Sequence, residues 1–247
     1  MVSVLGVQFT DMGEADVATA CARFMEDDTP HIVVTAGPEF VMRVRGDEGL
    51  RAMLAYADLV TPDGIGIVVA SRWYGQPLRE RVTGVELTER LLAIANGRGW
   101  RVYMLGATPQ SCASALAKVR DRFPRVQLGG RHGYFSSAET DEVLRDIRAF
   151  APHLLLVGLG QPRQERFIFE HREYLRVPLS IGIGGTIDIL SGHVRRAPTV
   201  FRRAHAEWLY RLLSQPTRAA RQLALPRFAV AAWRDARRER KTRGVRA

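Results

Sequence analysis

The chain has 247 residues, and its 46% hydrophobic and 25% charged content supplies enough apolar material for a packed core, which excludes a disordered or fibrous protein. At roughly 150 residues per domain, the length gives one large domain or one domain with an appendage. The formal charge is +10 but uneven: residues 195–247 carry 15 Lys and Arg against 3 Asp and Glu, whereas residues 1–194 carry 21 against 23. The basicity belongs to the C-terminal segment, and the body gives no reason to bind nucleic acid.

The opening VLGVQF reads as a strand over residues 4–9, followed by a helix over 15–25 and the apolar run HIVVT at 31–35. A helix starts at Pro38, with proline in its first turn, and another covers 47–56. ADLVTPDGIGIV passes from a short strand through a Pro-Asp-Gly turn into a helix from about Gly64, and TGVELTERLLAIANGRG is a helix ending at glycine. WRVYMLGA is a strand ending in Gly106, with its helix in TPQSCASALAKVRDRF. After RVQLGGRHGYF a helix opens on a capping box, Ser136 with Glu139 three residues on. HLLLVGLG suits a strand buried on both faces; QPRQERFIFEHREYL is its helix and VPLSIGIGG the next strand.

Strands alternating with helices of this length imply an α/β fold, a mostly parallel Rossmann-like sheet covered by helices on both faces. Residues 1–194 form this body, and residues 195–247 a basic helical appendage. Cys21 and Cys112 stand far apart in Ala-rich stretches, as small buried hydrophobes rather than a disulfide or zinc set. The first residues lack the basic region of a signal peptide, and no run reaches the roughly 18 apolar residues of a spanning helix. The expected place is the cytoplasm, in solution or on a membrane surface.

In open α/β sheets, ligands bind beyond the carboxyl ends of the strands, where unpaired helix N–H groups meet anions. Three such ends carry glycine: Gly106, the pair Gly158 and Gly160, and the run Gly182, Gly184 and Gly185. Each glycine either turns the chain or lets a phosphate approach; three on one edge favour phosphate. GIGGTI has Ile187 where a dinucleotide fingerprint wants glycine, and no GxxxxGK[ST] occurs. A nucleotide-sugar or another nucleotide remains. With no Asp-x-Asp at a strand end, no metal clamp is expected, and charge would be neutralised by helix N-termini and arginine.

Asp63, in the TPDG turn, is either a helix cap or a general base. Arg81 is a substrate clamp or a surface charge. Gln164 has an amide to offer a phosphate or sugar, while Glu165 beside it either caps the backbone or faces solvent. Tyr134 is core or a platform for a flat base. Asp188 either accepts from a nucleobase N–H or sits at its helix N-terminus. His132, His193 and His205 are isolated and lack metal-ligand spacing.

Together ADLVTPDGIGIV, RVTGVEL, HGYF, VGLGQPRQE and the block from Gly182 to Arg218 resemble the WecG/TagA/CpsF glycosyltransferases, over about residues 32–221. The resemblance implies transfer of a sugar, N-acetylmannosamine in founding members, from a UDP-sugar to a polyprenyl-diphosphate-linked sugar. It further implies inversion at the anomeric carbon, no metal and no other cofactor; relatives transfer glucose, glucuronic acid or other hexoses. It puts Asp63 at the catalytic base, Arg81 in the acceptor or diphosphate environment, and Gln164 beside the donor. Thr35 matches a site threonine, but Gly37 stands where the family carries asparagine, which removes an amide next to the sugar. Candidate donors to the departing UDP are the amides of Gly106, Gly184 and Gly185 and the Gln164 side chain.

Val200, Ala204, Trp208 and Leu212 recur every four residues, interrupted by arginines. This stripe packs on the body or lies on a membrane, while LALPRFAVAAW, with Phe228 and Trp233, reads as an interfacial segment drawn to anionic lipid. The resemblance gives the appendage a second task, closing the site with Arg211, Arg218 and Arg221 on a diphosphate of the lipid acceptor. Peripheral attachment to the inner face of the cell membrane follows as an expectation. The reading from another class, a nucleic-acid binder using the basic tail, lacks the interleaved aromatics of such proteins.

Overall fold

In the computed structural model, which describes residues 1–198, 200, 201, 210 and 224–244, the chain opens on a hairpin where the sequence reads as one strand. β1 (Val2–Val4) pairs antiparallel with β2 (Val7–Phe9). Leu5 and Gly6 lie at φ 51° and 81°, as a two-residue type I′ turn requires, and reverse the chain in mid-run. This pair forms its own small sheet. Beyond it, the Thr10 amide donates to the Val60 carbonyl at 2.9 Å, and Val60 N donates to Thr10 Oγ1 at 3.2 Å.

The remaining strands, β3 (His31–Ala36), β4 (Leu59–Pro62), β5 (Arg101–Gly106), β6 (Gln127–Arg131), β7 (Leu154–Gly158) and β8 (Leu179–Gly182), form one sheet in the order β4-β3-β8-β7-β5-β6. Every pairing in it is parallel. The helices are α1 (Glu14–Phe24), α2 (Pro38–Arg45), α3 (Glu48–Leu54), α4 (Ile65–Trp73), α5 (Gly84–Arg98), α6 (Pro109–Arg122), α7 (Thr140–Phe150), α8 (Arg163–Leu175), α9 (Thr186–Leu190) and α10 (Ala224–Gly244).

Alternation along the strands builds two cores. On β7, Leu155 and Val157 join the layer holding α2, α4, α7, α8 and α10, while Leu154 and Leu156 join that of α1, α5, α6 and α9. That is why the run LLLV is apolar without a gap. Helix boundaries follow local chemistry. Asp47 accepts from Leu50 N at 3.0 Å to start α3, Gly99 ends α5 at φ 68°, and both halves of the Ser136–Glu139 capping box form.

The charge boundary near residue 194 does not isolate α10. This helix lies on α2 and α4, with Phe228, Ala232 and Ala236 buried in the body's own core. Tyr74, closing α4, donates its hydroxyl to Asp235 Oδ2 at 2.9 Å and accepts from Leu5 N at 3.3 Å. Phe228, read from sequence as a membrane-facing aromatic, therefore serves the core, while Val230 and Trp233 remain 49% and 45% exposed. Among the described residues, no helix is long and apolar enough to cross a membrane. Phe228→Ala should lower stability by about 3 kcal/mol or more in urea unfolding; an unchanged midpoint would mean that α10 is undocked in solution.

Candidate active site

A parallel sheet delivers the carboxyl ends of all its strands to one edge, and Thr35, Asp63, Gly106, Gly184 and Gly185 gather there. The central strands end in close main-chain contact. A Cβ on Gly106 would strike the Gly158 backbone, and one on Gly158 would stand 2.8 Å from the Gly184 carbonyl oxygen. Glycine at these ends lets three chain segments approach, so backbone rather than side chain lines the edge. The Gly133 amide donates to the Ala107 carbonyl at 2.9 Å, fixing the HGYF turn beside β5, where Tyr134 is 70% exposed. The core reading of Tyr134 is thereby excluded, and its ring is available to stack.

Asp63 is held from the main chain. Its amide donates to the Ala36 carbonyl at 3.1 Å, and Gly37 lies so close that a Cβ there would be 2.9 Å from the Asp63 carbonyl oxygen. Gly37 thus lets the turn after β3 press on the one after β4. Gly64 follows at φ 117° and opens α4, leaving the Asp63 side chain half-buried. The segment carrying Arg81 is bound to the same strand, because Val82 N donates to the Pro62 carbonyl at 3.0 Å and Thr61 Oγ1 donates to Val82 O at 3.4 Å.

Arg81 is only 12% exposed, which removes the surface-charge reading, and lies 3.7 Å from Glu86 Oε1. That carboxylate also pairs with Arg196 at 2.8 Å, and Arg196 reaches Glu89 at 3.4 Å. Sequence reasoning gave Arg196 no role; it pins the start of the appendage to α5. The Thr35 hydroxyl donates to the Gly182 carbonyl at 3.0 Å, so its proton is committed to β8.

Two expectations change at the start of α8. Gln164 is 1% exposed; its Oε1 accepts from Gly184 N at 3.0 Å and its Nε2 donates to Glu165 Oε1 at 2.8 Å. It shapes the glycine turn, and the Gly184 amide is engaged inside the protein, leaving Gly185 of that pair. Glu165, expected as a cap or a solvent-facing charge, is 2% exposed, and burial pushes its carboxyl up to about 7 against the hydrogen bonds from Gln164 and Gln161. Asp188 is half-buried in α9. Arg211, Arg218 and Arg221 lie outside the described residues, as do Ala204, His205, Trp208 and Leu212.

With this geometry in place, residues 2–242 match the glycosyl transferase WecG/TagA/CpsF family. Two relatives are named N-acetylglucosaminyldiphosphoundecaprenol N-acetyl-beta-D-mannosaminyltransferase. One, from Bacillus spizizenii, is 36% identical over 209 residues, 84% of this chain and 80% of the relative. The other, from Staphylococcus aureus strain MW2, is 31% identical over 229 residues, 92% and 90% of the two chains. The chain belongs to the WecG/TagA/CpsF family and is a glycosyltransferase. The match takes in the opening hairpin and most of α10, both beyond the span that sequence motifs covered.

The buried carboxyl has a measurable signature. Its native pKa of about 7 exceeds the ordinary carboxyl value, so the native state binds more protons than the unfolded chain between about pH 4.5 and 7. Stability is then fully present below that window and is lost as pH rises through 7, by about 3 kcal/mol. Glu165→Gln should flatten this loss in urea unfolding at pH 5 and pH 8; parallel slopes would show that the acid titrates normally.

Proposed function

We propose that this glycosyltransferase moves N-acetylmannosamine from a UDP-sugar onto N-acetylglucosamine carried on a polyprenyl diphosphate, with inversion and without a metal. The acceptor and the sugar come from the names of the relatives. The observation that carries the chemistry is Asp63: a half-buried carboxylate after β4, braced by Ala36 and Gly37, on the edge where the glycine-rich strand ends meet.

An acceptor hydroxyl oxygen attacks the anomeric carbon as the bond from that carbon to the UDP oxygen breaks on the opposite face. Asp63 takes the hydroxyl proton during attack, a contribution of about 10²–10⁴-fold for a well-placed base. The electron pair leaves with UDP, where developing negative charge needs preorganised donors. Gly106 and Gly185 amides, Arg81 and the appendage arginines Arg211, Arg218 and Arg221 are the groups assigned to the two diphosphates. Tyr134 stacks on the uracil and Asp188 accepts its N–H.

A lipid acceptor requires the protein at a membrane surface. The outer side of α10 supports this, with Val230 and Trp233 exposed and the Arg237 guanidinium 4.4 Å above the Trp233 ring. Gly37 is the observation that favours a second reading, the same reaction with another hexose. Incubating the protein with a panel of UDP-sugars and a short-chain lipid-diphosphate sugar, with products read by mass spectrometry, decides between them.

Asp63→Asn should abolish product and preserve UDP binding; retained turnover would return Asp63 to a capping role. Chelator should leave the wild-type rate unchanged, and a rate restored only by added divalent ion would contradict the metal-free reaction. Truncation after Arg195 should leave little transferase activity, and full activity in that protein would remove the closing role of the appendage.

A further inference from the structure

Glu165 is a buried carboxyl beside the candidate site to which the proposed chemistry gives no task. Its Oε1 accepts from Gln161 Nε2 at 3.1 Å and from Gln164 Nε2 at 2.8 Å. The same Gln161 nitrogen donates to the Thr35 carbonyl at 2.9 Å, and Gln164 Oε1 accepts from Gly184 N at 3.0 Å. One oxygen therefore ties the end of β3 to the glycine turn after β8. The other, Oε2, is buried without a hydrogen-bond partner.

We propose that Glu165 is a positioning residue of the transfer reaction: through Gln161 and Gln164 its carboxyl sets the Thr35 and Gly184 sides of the cleft, and so the placing of the donor's diphosphate relative to Asp63. This rests on the UDP-sugar reading above. The form suited to the task is the neutral acid, because an ionised carboxylate with an unsatisfied buried oxygen is costly and would repel a diphosphate held at the glycine turn.

The surrounding charges leave that form favoured. On α2, Arg43 pulls toward ionisation, but it is paired with Glu39 at 2.9 Å and donates to the Gln161 carbonyl at 3.3 Å. Arg166, next on α8, is paired with Asp47 before α3 at 2.8 Å. On α7, Glu142 and Asp146 turn to Arg131 at 2.9 and 2.8 Å. β8 carries no ionisable side chain, and His31 of β3 lies at its far end. Asp63, beyond β4, and Asp188, in the first turn of α9, are further carboxyls at this end of the sheet.

The test compares full-length wild type, Glu165→Gln and Glu165→Ala. Glutamine keeps an oxygen for both amides and never ionises. Glu165→Gln should stay within about threefold of wild-type kcat at pH 6 and lack the wild-type decline above pH 7, exceeding wild type by about tenfold at pH 8.5. Glu165→Ala should lose roughly tenfold or more in kcat across the range, as should Gln161→Ala if the first alanine variant fails to fold. A Glu165→Gln profile parallel to wild type, or an alanine variant at wild-type kcat, overturns the proposal.

A second readout does not depend on the transferase reading. Calorimetric titration with UDP at pH 7.5, in two buffers of different ionisation enthalpy, should show proton uptake by wild type and none by Glu165→Gln. Equal uptake in both proteins, or none in either, overturns the positioning role even if no UDP-sugar is turned over.

Discussion

The parallel pairing of β3 with β4 on one side and β8 on the other is the constraint on which the site depends. Parallel register puts the carboxyl ends of three strands side by side. What remains is to bring their following turns within reach of one substrate, and small residues do this. Gly37 lets the turn after β3 close on Asp63, and Gly158 lets β7 close on the turn at Gly184. Bulk at either position would push a wall of the cleft outward before it touched any ligand. Glycine at position 37 therefore has a structural consequence: it tightens the support of the carboxylate.

Polar side chains then lock what the glycines bring together. Thr35 donates to β8, Gln161 to β3, and Gln164 holds the Gly184 amide. Thr35 and Gln164 are functional candidates by sequence, yet each of the three spends hydrogen-bonding capacity on the frame. Rigid placing of reacting groups accounts for much of the rate advantage in displacement reactions, so a frame of this kind belongs to the chemistry even where it never meets the sugar. Glu165 is the point at which the two glutamines converge.

Much of the architecture was legible because it rests on local pattern. The gapless apolar run of β7 signals burial on both faces, and Ser136 with Glu139 signals a helix start that forms as written. The hairpin was not legible, since nothing in VLGVQF says that Leu5 adopts a positive φ. Glu165 was misread for a different reason. A glutamate in a polar first turn looks solvated, yet its partners Gln161 and Gln164 are themselves tied to Thr35 and Gly184, contacts distant in sequence that draw this turn inward. Phe228 is a parallel case: periodicity marks an apolar face on α10 without saying whether lipid or α2 and α4 cover it. Asp63 stood out as a carboxylate in a strand-to-helix turn, a cap or a base from the residues alone and a base by resemblance, and the structure leaves its side chain half-buried.

Two faces of the molecule divide the work. The sheet edge holds the candidate base and the glycine turns, while α10 is fastened to the body by Phe228 and by the Tyr74–Asp235 hydrogen bond, its basic side outward. Such an arrangement joins the candidate site to the C-terminal helix through a shared core. The most direct measurement is a crystal structure with UDP bound. The account predicts pyrophosphate oxygens at the Gly106 and Gly185 turns, uracil on Tyr134, and the Asp63 carboxylate facing the space beside the terminal phosphate. Nucleotide lodged at another edge, or Asp63 turned into the interior away from it, would contradict the account.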